Sequence, residues 1–305
     1  MSERVAAVDC GTNSIRLLIA DLVDGELVEV DRRMTIVRLG QGVDATGAFA
    51  PEALERVFAA SDDFVAVIRA AGATRTRFVA TSAARDVTNR DEFFAGIAQR
   101  FGVEPEIISG AEEASLSFRG ATGGLAELDV FGPYLVADIG GGSTELILGD
   151  ASGVIAAESL DMGSVRMTER HVASDPTTPA ELAAATKDVD ALLDSTVVPI
   201  GEARVLIGVA GTVTTVAAVA LQLPEYDRTQ IHHARIQGPL LRSTTYWLMN
   251  SSHAERAAVP VIHPGRVDVI GAGALILQRL YDRMAVDEVI VSEHDILDGV
   301  ALSLG

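Results

Sequence analysis

The sequence predicts an α/β protein built from two domains. Short apolar runs typical of buried strands alternate with amphipathic stretches typical of helices along the 305 residues. One block of this pattern, VDCGTNSIRLLIAD ending at Asp21, returns as ADIGGGSTELILGD ending at Asp150. A glycine-rich stretch of weak periodicity, residues 120–132, separates the two copies. We therefore predict an N-terminal domain over residues 1–125 and a C-terminal domain over residues 126–305, with a last helix able to pack back on the first domain.

In the first domain, three strands come before an alternation of helices and strands. Pro51 suits the first turn of a helix, and apolar side chains recur after it at helical spacing as far as Ala71. The predicted strands cover residues 5–8, 15–20, 26–32, 77–80 and 104–108. The predicted helices cover residues 51–71, 90–101 and 112–119.

The second domain repeats the three-strand start and then alternates again. A GTVTT turn is predicted between a strand at residues 205–209 and a helix at residues 216–221. The predicted strands cover residues 134–137, 145–148, 153–160, 205–209 and 288–291. The predicted helices cover residues 179–193, 216–221, 240–249, 268–281 and 296–304.

Each copy of the repeated block places an acid before a glycine turn and a second apolar run directly after it. Asp9 and Gly11 of the first copy align with Asp138 and Gly140 of the second. A dinucleotide-binding fingerprint would have a helix after its glycines, whereas the second apolar run predicts a strand. Each turn is therefore predicted to be the tip of a hairpin, and the two tips, one per domain, could face each other across a cleft.

The composition of the two tips suits a phosphate site. Successive amides in a glycine turn form a concave nest for anions, and the hydroxyls of Ser14 and Ser143 can add donors. Carboxylates beside a phosphate indicate a hard cation such as Mg²⁺, with Asp9 and Asp138 on the metal side. The alternative is a pair of purely structural hairpins whose acids cap their turns. A third segment, GVAGTVTT at residues 208–215, offers a helix N-terminus to an anion.

Composition also limits the partners and the compartment. The formal net charge of −19 argues against non-specific binding to nucleic acid or to an anionic membrane. A polyanionic substrate could bind such a chain only where local amides, arginines or a metal offset the negative charge. Cys10 is the single cysteine, and the N-terminus lacks the order of a signal peptide, so we expect a cytoplasmic protein. The uncharged stretch at residues 205–224 contains too many glycines and threonines for a membrane span.

Several motifs resemble the exopolyphosphatase and guanosine pentaphosphate phosphatase family, which belongs to the actin, hexokinase and Hsp70 superfamily. These motifs extend over nearly the whole chain: DCGTNSIRLLIAD, IVRLGQGVD, ATSAARD, ISGAEEA, DIGGGSTEL, MGSVRMTER and RVDVIGAGALIL. The resemblance implies two ribonuclease H-like, actin-like domains with a cleft between them, in a short form without the C-terminal helical domain of longer members. One departure is Leu297, which stands where the family often has an arginine.

The resemblance also implies roles for single residues. A glutamate of the EEA stretch is implied to be catalytic, and we assign Glu113 rather than Glu112; the alternative is that both complement a helix dipole. Glu145 is assigned to catalysis by positioning metal or water, and Arg85 to a phosphate contact rather than an ion pair with Asp86. The predicted metal ligands are Asp9, Asp138 and Glu145. The predicted phosphate-binding residues are Gly11, Thr12, Asn13, Ser14, Arg85, Gly140, Gly141, Gly142, Ser143, Thr144, Gly211 and Thr212. Arg38, Arg166 and Arg266 are weaker candidates for contact with an anion.

The resemblance implies hydrolysis of the terminal phosphoanhydride of inorganic polyphosphate with release of orthophosphate. Mg²⁺ or another divalent cation is the expected cofactor. The rival within the family is hydrolysis of guanosine pentaphosphate. Rivals from other classes are a nucleotide-binding kinase or ATPase that uses GVAGTVTT as an adenosine contact, and a non-catalytic regulator. A homodimer is compatible with the apolar C-terminal half.

Overall fold

A computed structural model describes residues 3–85 and 87–305 of the chain. By its internal contacts the chain divides into two compact units. Unit 1 contains the residues up to Gly120 together with Ile296–Gly305, and unit 2 contains Ala121–Asp295. The chain therefore leaves unit 1 after Gly120 and returns to it after Asp295. The domain boundary predicted between residues 125 and 126 stays a prediction.

Unit 1 is built on a five-stranded sheet in the order β3-β2-β1-β4-β5. The strands are β1 (Glu3–Cys10), β2 (Ser14–Val23), β3 (Glu26–Ile36), β4 (Arg75–Ala80) and β5 (Glu106–Ile107). The first three strands pair antiparallel, and β4 pairs parallel with both β1 and β5. The β1–β2 hairpin and the end of β4 therefore meet at one edge of the sheet.

Helices cover both faces of this sheet. The helices before the chain leaves unit 1 are α1 (Val43–Thr46), α2 (Pro51–Ala71), α3 (Ser82–Arg85), α4 (Arg90–Phe101) and α5 (Gly110–Ala121). The longest, α2, has Pro51 in its first turn and ends at Gly72, whose φ of 72° is accessible to glycine at little cost. Its apolar side packs with α4 over one face of the sheet, around Phe64 and Phe93.

The C-terminal helix, Ile296–Leu302, packs on the other face of the unit 1 sheet. Leu297 is 1% exposed in this core, which also contains Val5 and Leu18. The guanidinium of Arg32 on β3 forms an ion pair with Asp298 of the helix. Leu297, which the sequence comparison singled out as a departure, is therefore an apolar core residue.

Unit 2 is built on a six-stranded sheet in the order β10-β11-β9-β6-β7-β8. The strands are β6 (Tyr134–Ile139), β7 (Thr144–Asp150), β8 (Gly153–Leu160), β9 (Val205–Val209), β10 (Arg235–Gln237) and β11 (Glu288–Val291). The β6, β7 and β8 strands pair antiparallel, and β9 is parallel to both β6 and β11. This arrangement repeats that of unit 1, as the duplicated sequence block predicts.

The helices of unit 2 enclose one large apolar core. They are α6 (Ser164–His171), α7 (Pro179–Ser195), α8 (Ala210–Ala220), α9 (Arg228–Ile231), α10 (Gly238–Asn250), α11 (His253–Ala257) and α12 (Ile270–Tyr281). Short 3₁₀ turns lie at Leu125–Leu128, Ile200–Glu202 and Pro264–Arg266. None of the helices in the described ranges has the length and apolarity that crossing a membrane requires.

Two helices of unit 2, α6 and α8, differ from the prediction. The predicted GTVTT turn is the first part of α8, which begins directly after β9 at Ala210, a residue with a φ of 66°. The hydroxyl of Thr215 then donates to the carbonyl of Gly211 inside the helix, at 2.6 Å. The sequence analysis also gave no helix to Ser164–His171, which forms α6.

Candidate active site

The first tip connects β1 to β2 at residues 11–13. The amide of Gly11 donates to the carbonyl of Ser14 at 2.9 Å and closes the turn. The loop after β3 binds the tip through its own backbone. The amides of Val37 and Arg38 donate to the carbonyl of Asn13, both at 2.9 Å, and the amide of Gly40 donates to the carbonyl of Thr12 at 2.8 Å. The tip is therefore held through its carbonyl oxygens.

The second tip connects β6 to β7 at residues 140–143 and is held in the same way. Its Gly140 amide donates to the carbonyl of Ser143 at 3.0 Å. The amides of Ser164, Val165 and Arg166, at the start of α6, donate to the carbonyls of Gly140 and Gly141. The guanidinium of Arg166 donates to the carbonyl of Gly142 at 2.7 Å. Gly163 contacts the tip so closely that a Cβ there would lie 2.3 Å from the carbonyl oxygen of Gly141.

Both tips present backbone amides. Within the part of the chain that the structure describes, the amides of Thr12, Asn13, Gly141 and Gly142 have no acceptor. Two adjacent amides at each tip are the donors that an anion nest requires. None of the tip glycines has a positive φ, so their small size, rather than a left-handed backbone, suits them to a close approach.

The hydroxyls predicted to assist these amides at the second tip donate within the protein. Ser143 donates to a carboxylate oxygen of Glu145 at 2.8 Å, and Thr144 donates to the carbonyl of Met162 at 2.6 Å. A hydroxyl has one proton to donate, so we revise the predicted donor role of these two side chains. At the first tip, the hydroxyl of Thr12 lies 3.1 Å from that of Ser82.

The two tips differ in the partner of their leading acid. In the β1–β2 pairing Asp9 lies opposite Arg16, whose Nε and Nη2 both donate to Asp9 Oδ2, at 3.0 and 2.6 Å. In the β6–β7 pairing Asp138 lies opposite Glu145. The hydroxyl of Ser159 on β8 also donates to Glu145, at 2.7 Å. The first acid therefore has an arginine as its cross-strand neighbour, and the second has another acid.

Glu113 and Arg85, predicted for separate roles, form an ion pair in unit 1. Arg85 is the last residue of α3, and its Nη2 donates to Glu113 Oε2 near the start of α5. Its Nε donates to the carbonyl of Ile108 at 3.3 Å. Glu113 is buried, whereas Glu112 is exposed and pairs with Arg77 at 2.7 Å. The alternative partner considered for Arg85, residue 86, lies outside the described residues.

In the third segment predicted to bind phosphate, residues 208–215, an arginine side chain lies against the backbone of Gly211. The guanidinium of Arg266 occupies the space beside Gly211, with Nη2 2.3 Å from where a Cβ would lie. Its Nη1 donates to the hydroxyl of Thr215 at 3.2 Å. Burial, and next the charge of Arg266, lower the pKa of His263. Thr212 is buried against Gly273 of α12. The segment therefore offers a guanidinium, and Gly211 is needed to make room for it.

Arg16, Ser159 and Ser82 contact predicted site residues but were not themselves predicted from the sequence. Arg16 could have been found, because the repeat aligns it with Glu145. Ser159 could not, because its contact depends on the pairing register of β7 with β8. Ser82 comes near Thr12 only because β4 lies beside β1. Cys10 is buried, and burial raises the pKa of its thiol well above the ordinary range, in line with its interpretation as a core residue.

The residues present fit a magnesium ion at the second tip. No cluster of three or more histidines, cysteines or acids suited to a metal occurs among the described residues. Mg²⁺ commonly uses one or two carboxylates and takes its remaining ligands from water and phosphate. Asp138 and Glu145 form such a pair, 6% and 1% exposed. Asp9 forms an ion pair with Arg16 through Oδ2, and its role as a metal ligand stays a prediction.

Comparison with known proteins gives consistent matches along the whole chain. A model described as the Ppx/GppA phosphatase family matches residues 18–304. A protein of Mycobacterium tuberculosis named Exopolyphosphatase 2 is 49% identical, over 99% of this chain and 98% of that protein. A protein of Vibrio cholerae named guanosine-5'-triphosphate,3'-diphosphate pyrophosphatase is 28% identical, over 98% of this chain and 59% of that protein.

The match to a solved structure extends the comparison to the fold. The crystal structure of a protein described as exopolyphosphatase-like aligns with a TM-score of 0.96 at 45% identity, over 100% of this chain and 98% of that one. The predicted fold class, an α/β protein with two actin-like domains, is confirmed.

Proposed function

The chain belongs to the Ppx/GppA phosphatase family, and we propose that it hydrolyses the terminal phosphoanhydride bond of inorganic polyphosphate and releases orthophosphate. The observation that carries the choice of substrate is the 49% identity, over nearly the full length of both chains, to a protein named Exopolyphosphatase 2. The chain covers only 59% of the more distant guanosine-nucleotide pyrophosphatase. The site supplies groups for phosphate binding and for activation of water.

In this proposal the backbone amides of the two tips bind phosphate oxygens. Thr12 and Asn13 supply two donors at the first tip, and Gly141 and Gly142 supply two at the second. Backbone amides carry no net charge, so they can bind an anion without repelling a nearby metal cation. Arg266 supplies a guanidinium beside Gly211, a group that binds phosphate with fixed geometry.

Asp138 and Glu145 are proposed to hold Mg²⁺ or another divalent cation. When bound, this cation would neutralise negative charge that develops on the transferred phosphoryl group. Ser143 and Ser159 hold the carboxylate of Glu145 in one orientation through their hydroxyls. A fixed carboxylate is needed because a metal ligand acts at one distance and one angle.

Glu113 is proposed to take a proton from the attacking water. The water oxygen bonds to the terminal phosphorus, the bridging P–O bond breaks, and the bridging oxygen stays on the shortened chain. Arg85 holds the Glu113 carboxylate in place through its ion pair, so that the carboxylate can accept the proton of the water. Little covalent chemistry is needed from the protein, because positioning and charge neutralisation supply most of the rate.

The remaining assignments rest on the sequence. The net charge of −19 supports an enzyme that binds no nucleic acid. The single cysteine supports a cytoplasmic location. A homodimer is proposed from the apolar C-terminal half of the chain alone.

The proposal is tested by orthophosphate release from three substrates in parallel. Long-chain polyphosphate, guanosine pentaphosphate and ATP are each incubated with Mg²⁺ and, separately, with a chelator. We expect release from polyphosphate that exceeds release from the other two and that stops in chelator. Faster release from guanosine pentaphosphate would instead favour the family rival, and faster release from ATP would favour a nucleotide hydrolase.

A further inference from the structure

The outer strand of the unit 1 sheet, β3, is long and exposed. Within the described ranges, no strand pairs with the side of β3 that faces away from β2. Seven of its eleven residues are exposed, and among them Val28, Val30 and Met34 are 53%, 43% and 37% exposed. Backbone N–H and C=O groups along an outer strand, beside exposed apolar side chains, form a template on which another strand can pair.

The second copy of the duplicated block has a different outer strand. In unit 2 the equivalent place belongs to β8, in which only two of the eight residues are exposed. The segment after α7 is bound to β8, because the Thr196 hydroxyl and the Val197 amide both donate to the carboxylate of Glu158, at 2.7 and 2.8 Å. The first copy therefore keeps an exposed outer strand where the second copy is partly covered.

The charges of β3 lie in two separate halves. Glu26, Glu29 and Asp31 come first, and Arg32 and Arg33 follow directly. Antiparallel pairing of two identical strands about a two-fold axis places the first half of one strand opposite the second half of the other. Acids then face bases on both sides of the axis, whereas a parallel pair in register would place like charges opposite each other, which is unfavourable.

Two of these charged side chains can contact a second strand while they keep their partners in their own chain. Glu29 pairs with Arg32 and Arg33 pairs with Asp31, yet the side chains of Glu29 and Arg33 are still partly exposed to solvent. The charge pattern of β3 is therefore complementary to itself, and it selects the antiparallel orientation.

We infer that β3 is the interface at which two copies of this chain pair antiparallel, so that their five-stranded sheets join edge to edge. Eleven residues of extended strand span about 35 Å, roughly twice the length of an ordinary strand. The homodimer proposed above was based on the C-terminal half, and this inference places the interface in unit 1 instead. It does not depend on the proposed substrate.

The competing arrangement is an outer strand that stays solvated. Charged side chains and bulges also protect sheet edges, and β3 has both, since its pairing with β2 shifts in register between Ile19 and Ala20. Sedimentation velocity on the whole chain separates the two arrangements by particle mass. The measurement is made at about 0.15 M salt, where charges more than about 8 Å apart are largely screened, because each chain has a net charge of −19.

Two charge-reversal variants make the first test. The wild type should sediment as a particle of two chains. Glu29→Arg and Arg33→Glu each place like charges across the axis, and each change occurs twice in the dimer. Each should raise the dissociation constant at least about tenfold. An equimolar mixture of the two variants should dimerise like the wild type, because opposite charges again face each other. Circular dichroism checks that each variant is folded.

Three results of the first test would overturn the inference. These are a monomeric wild type, single variants that dimerise as well as the wild type, and a mixture of folded variants that stays monomeric.

Lysine substitutions at exposed apolar positions make the second test, which locates the interface even if a charge-reversal variant does not fold. Val28→Lys on β3 should dissociate the dimer. Val154→Lys on β8 and Tyr246→Lys on α10 are the matched controls, because both side chains are exposed, and both variants should stay dimeric. A dimer that survives Val28→Lys but is lost with either control would place the interface in unit 2 and contradict the inference.

The inference and the proposed function fail separately. If the chain dimerises through β3 while polyphosphate is not hydrolysed, the inference stands and the proposed substrate is wrong. If a monomeric chain hydrolyses polyphosphate, the substrate stands and the inference is wrong.

Discussion

At the scale of single residues, two adjacent glutamates on α5 have different surroundings. Glu113 is buried beside Arg85, whereas Glu112 is exposed beside Arg77. We expect Glu113→Gln to fold normally and to lose about 10²- to 10⁴-fold in turnover, the usual contribution of a positioned acid–base group. Orthophosphate release under saturating substrate measures the effect. Glu112→Gln is the control and should keep near wild-type turnover; the reverse pattern would show that the wrong glutamate has been assigned.

The predicted and observed partners of Arg85 differ. The prediction was a contact with substrate phosphate, and the structure pairs the residue with Glu113. Lysine keeps the charge but cannot donate to both Glu113 and the Ile108 carbonyl with the same planar geometry. We expect Arg85→Lys to lower kcat by at least about tenfold with little change in KM. An increase in KM at constant kcat would instead show that Arg85 contacts the substrate.

Some site residues were predictable from the sequence, whereas the contacts between their side chains were not. The duplicated motif located Asp9, Asp138 and both tips, because an acid before a glycine turn is visible in the letters alone. The contact between Arg85 and Glu113 was not predictable, because the two lie 28 residues apart and meet only where α3 and α5 come together at the edge of the sheet. Side-chain contacts between elements depend on tertiary packing, which no local pattern contains.

At the scale of elements, the start of α6 fixes the second tip. Gly163 leaves no space for a Cβ, which would lie 2.3 Å from the backbone of Gly141. Gly163→Ala must therefore displace the tip, and we expect a lower melting temperature and an increase in KM of about tenfold or more. Gly201→Ala is the matched comparison, because no atom lies within 4 Å of the place where its Cβ would be. Equal effects of the two substitutions would mean that Gly163 does not support the tip.

The start of α7 predicts a pH dependence of stability. Hydrogen bonds from the Thr178 backbone and side chain, and from the Ala173 backbone, lower the pKa of Glu181 from 4.5 to about 2. Because the folded-state pKa is the lower one, this contribution is complete above about pH 4.5 and is lost as the pH falls towards 2. Melting temperatures between pH 6 and 3 should fall less steeply in Glu181→Gln than in the wild type. Parallel curves would contradict the assignment.

Helices and strands were predicted correctly where neighbouring residues alone determine them. The α2 helix was predicted with its observed bounds, because Pro51 and the apolar spacing both act locally. The predicted start of α8 was wrong because the helix begins at Ala210, directly after β9. Ala210 has a positive φ, which is rare for alanine and cannot be predicted from its sequence. The order of the strands in the two sheets was not predicted, because it depends on how the chain crosses over between strands. Only the structure shows that order.

At the scale of the whole molecule, a chain with a net charge of −19 is proposed to bind a polyanion. Monovalent salt then has two opposed effects, since it screens the overall repulsion over a Debye length of about 8–10 Å and weakens local contacts to arginine. For a short polyphosphate at constant Mg²⁺ the local contacts should dominate. We expect KM to rise as potassium chloride is added. A KM that falls with salt would mean that overall repulsion controls binding.

In the proposed reaction, water activated by Glu113 attacks the terminal phosphorus of polyphosphate. A single turnover in water enriched in ¹⁸O tests it directly, with the released orthophosphate analysed by mass spectrometry. We predict one solvent oxygen in each released orthophosphate, and no release within the same time by the Glu113→Gln chain. Orthophosphate without the label, which places the attack on the phosphorus that stays with the chain, or no orthophosphate from the wild type, would contradict this account.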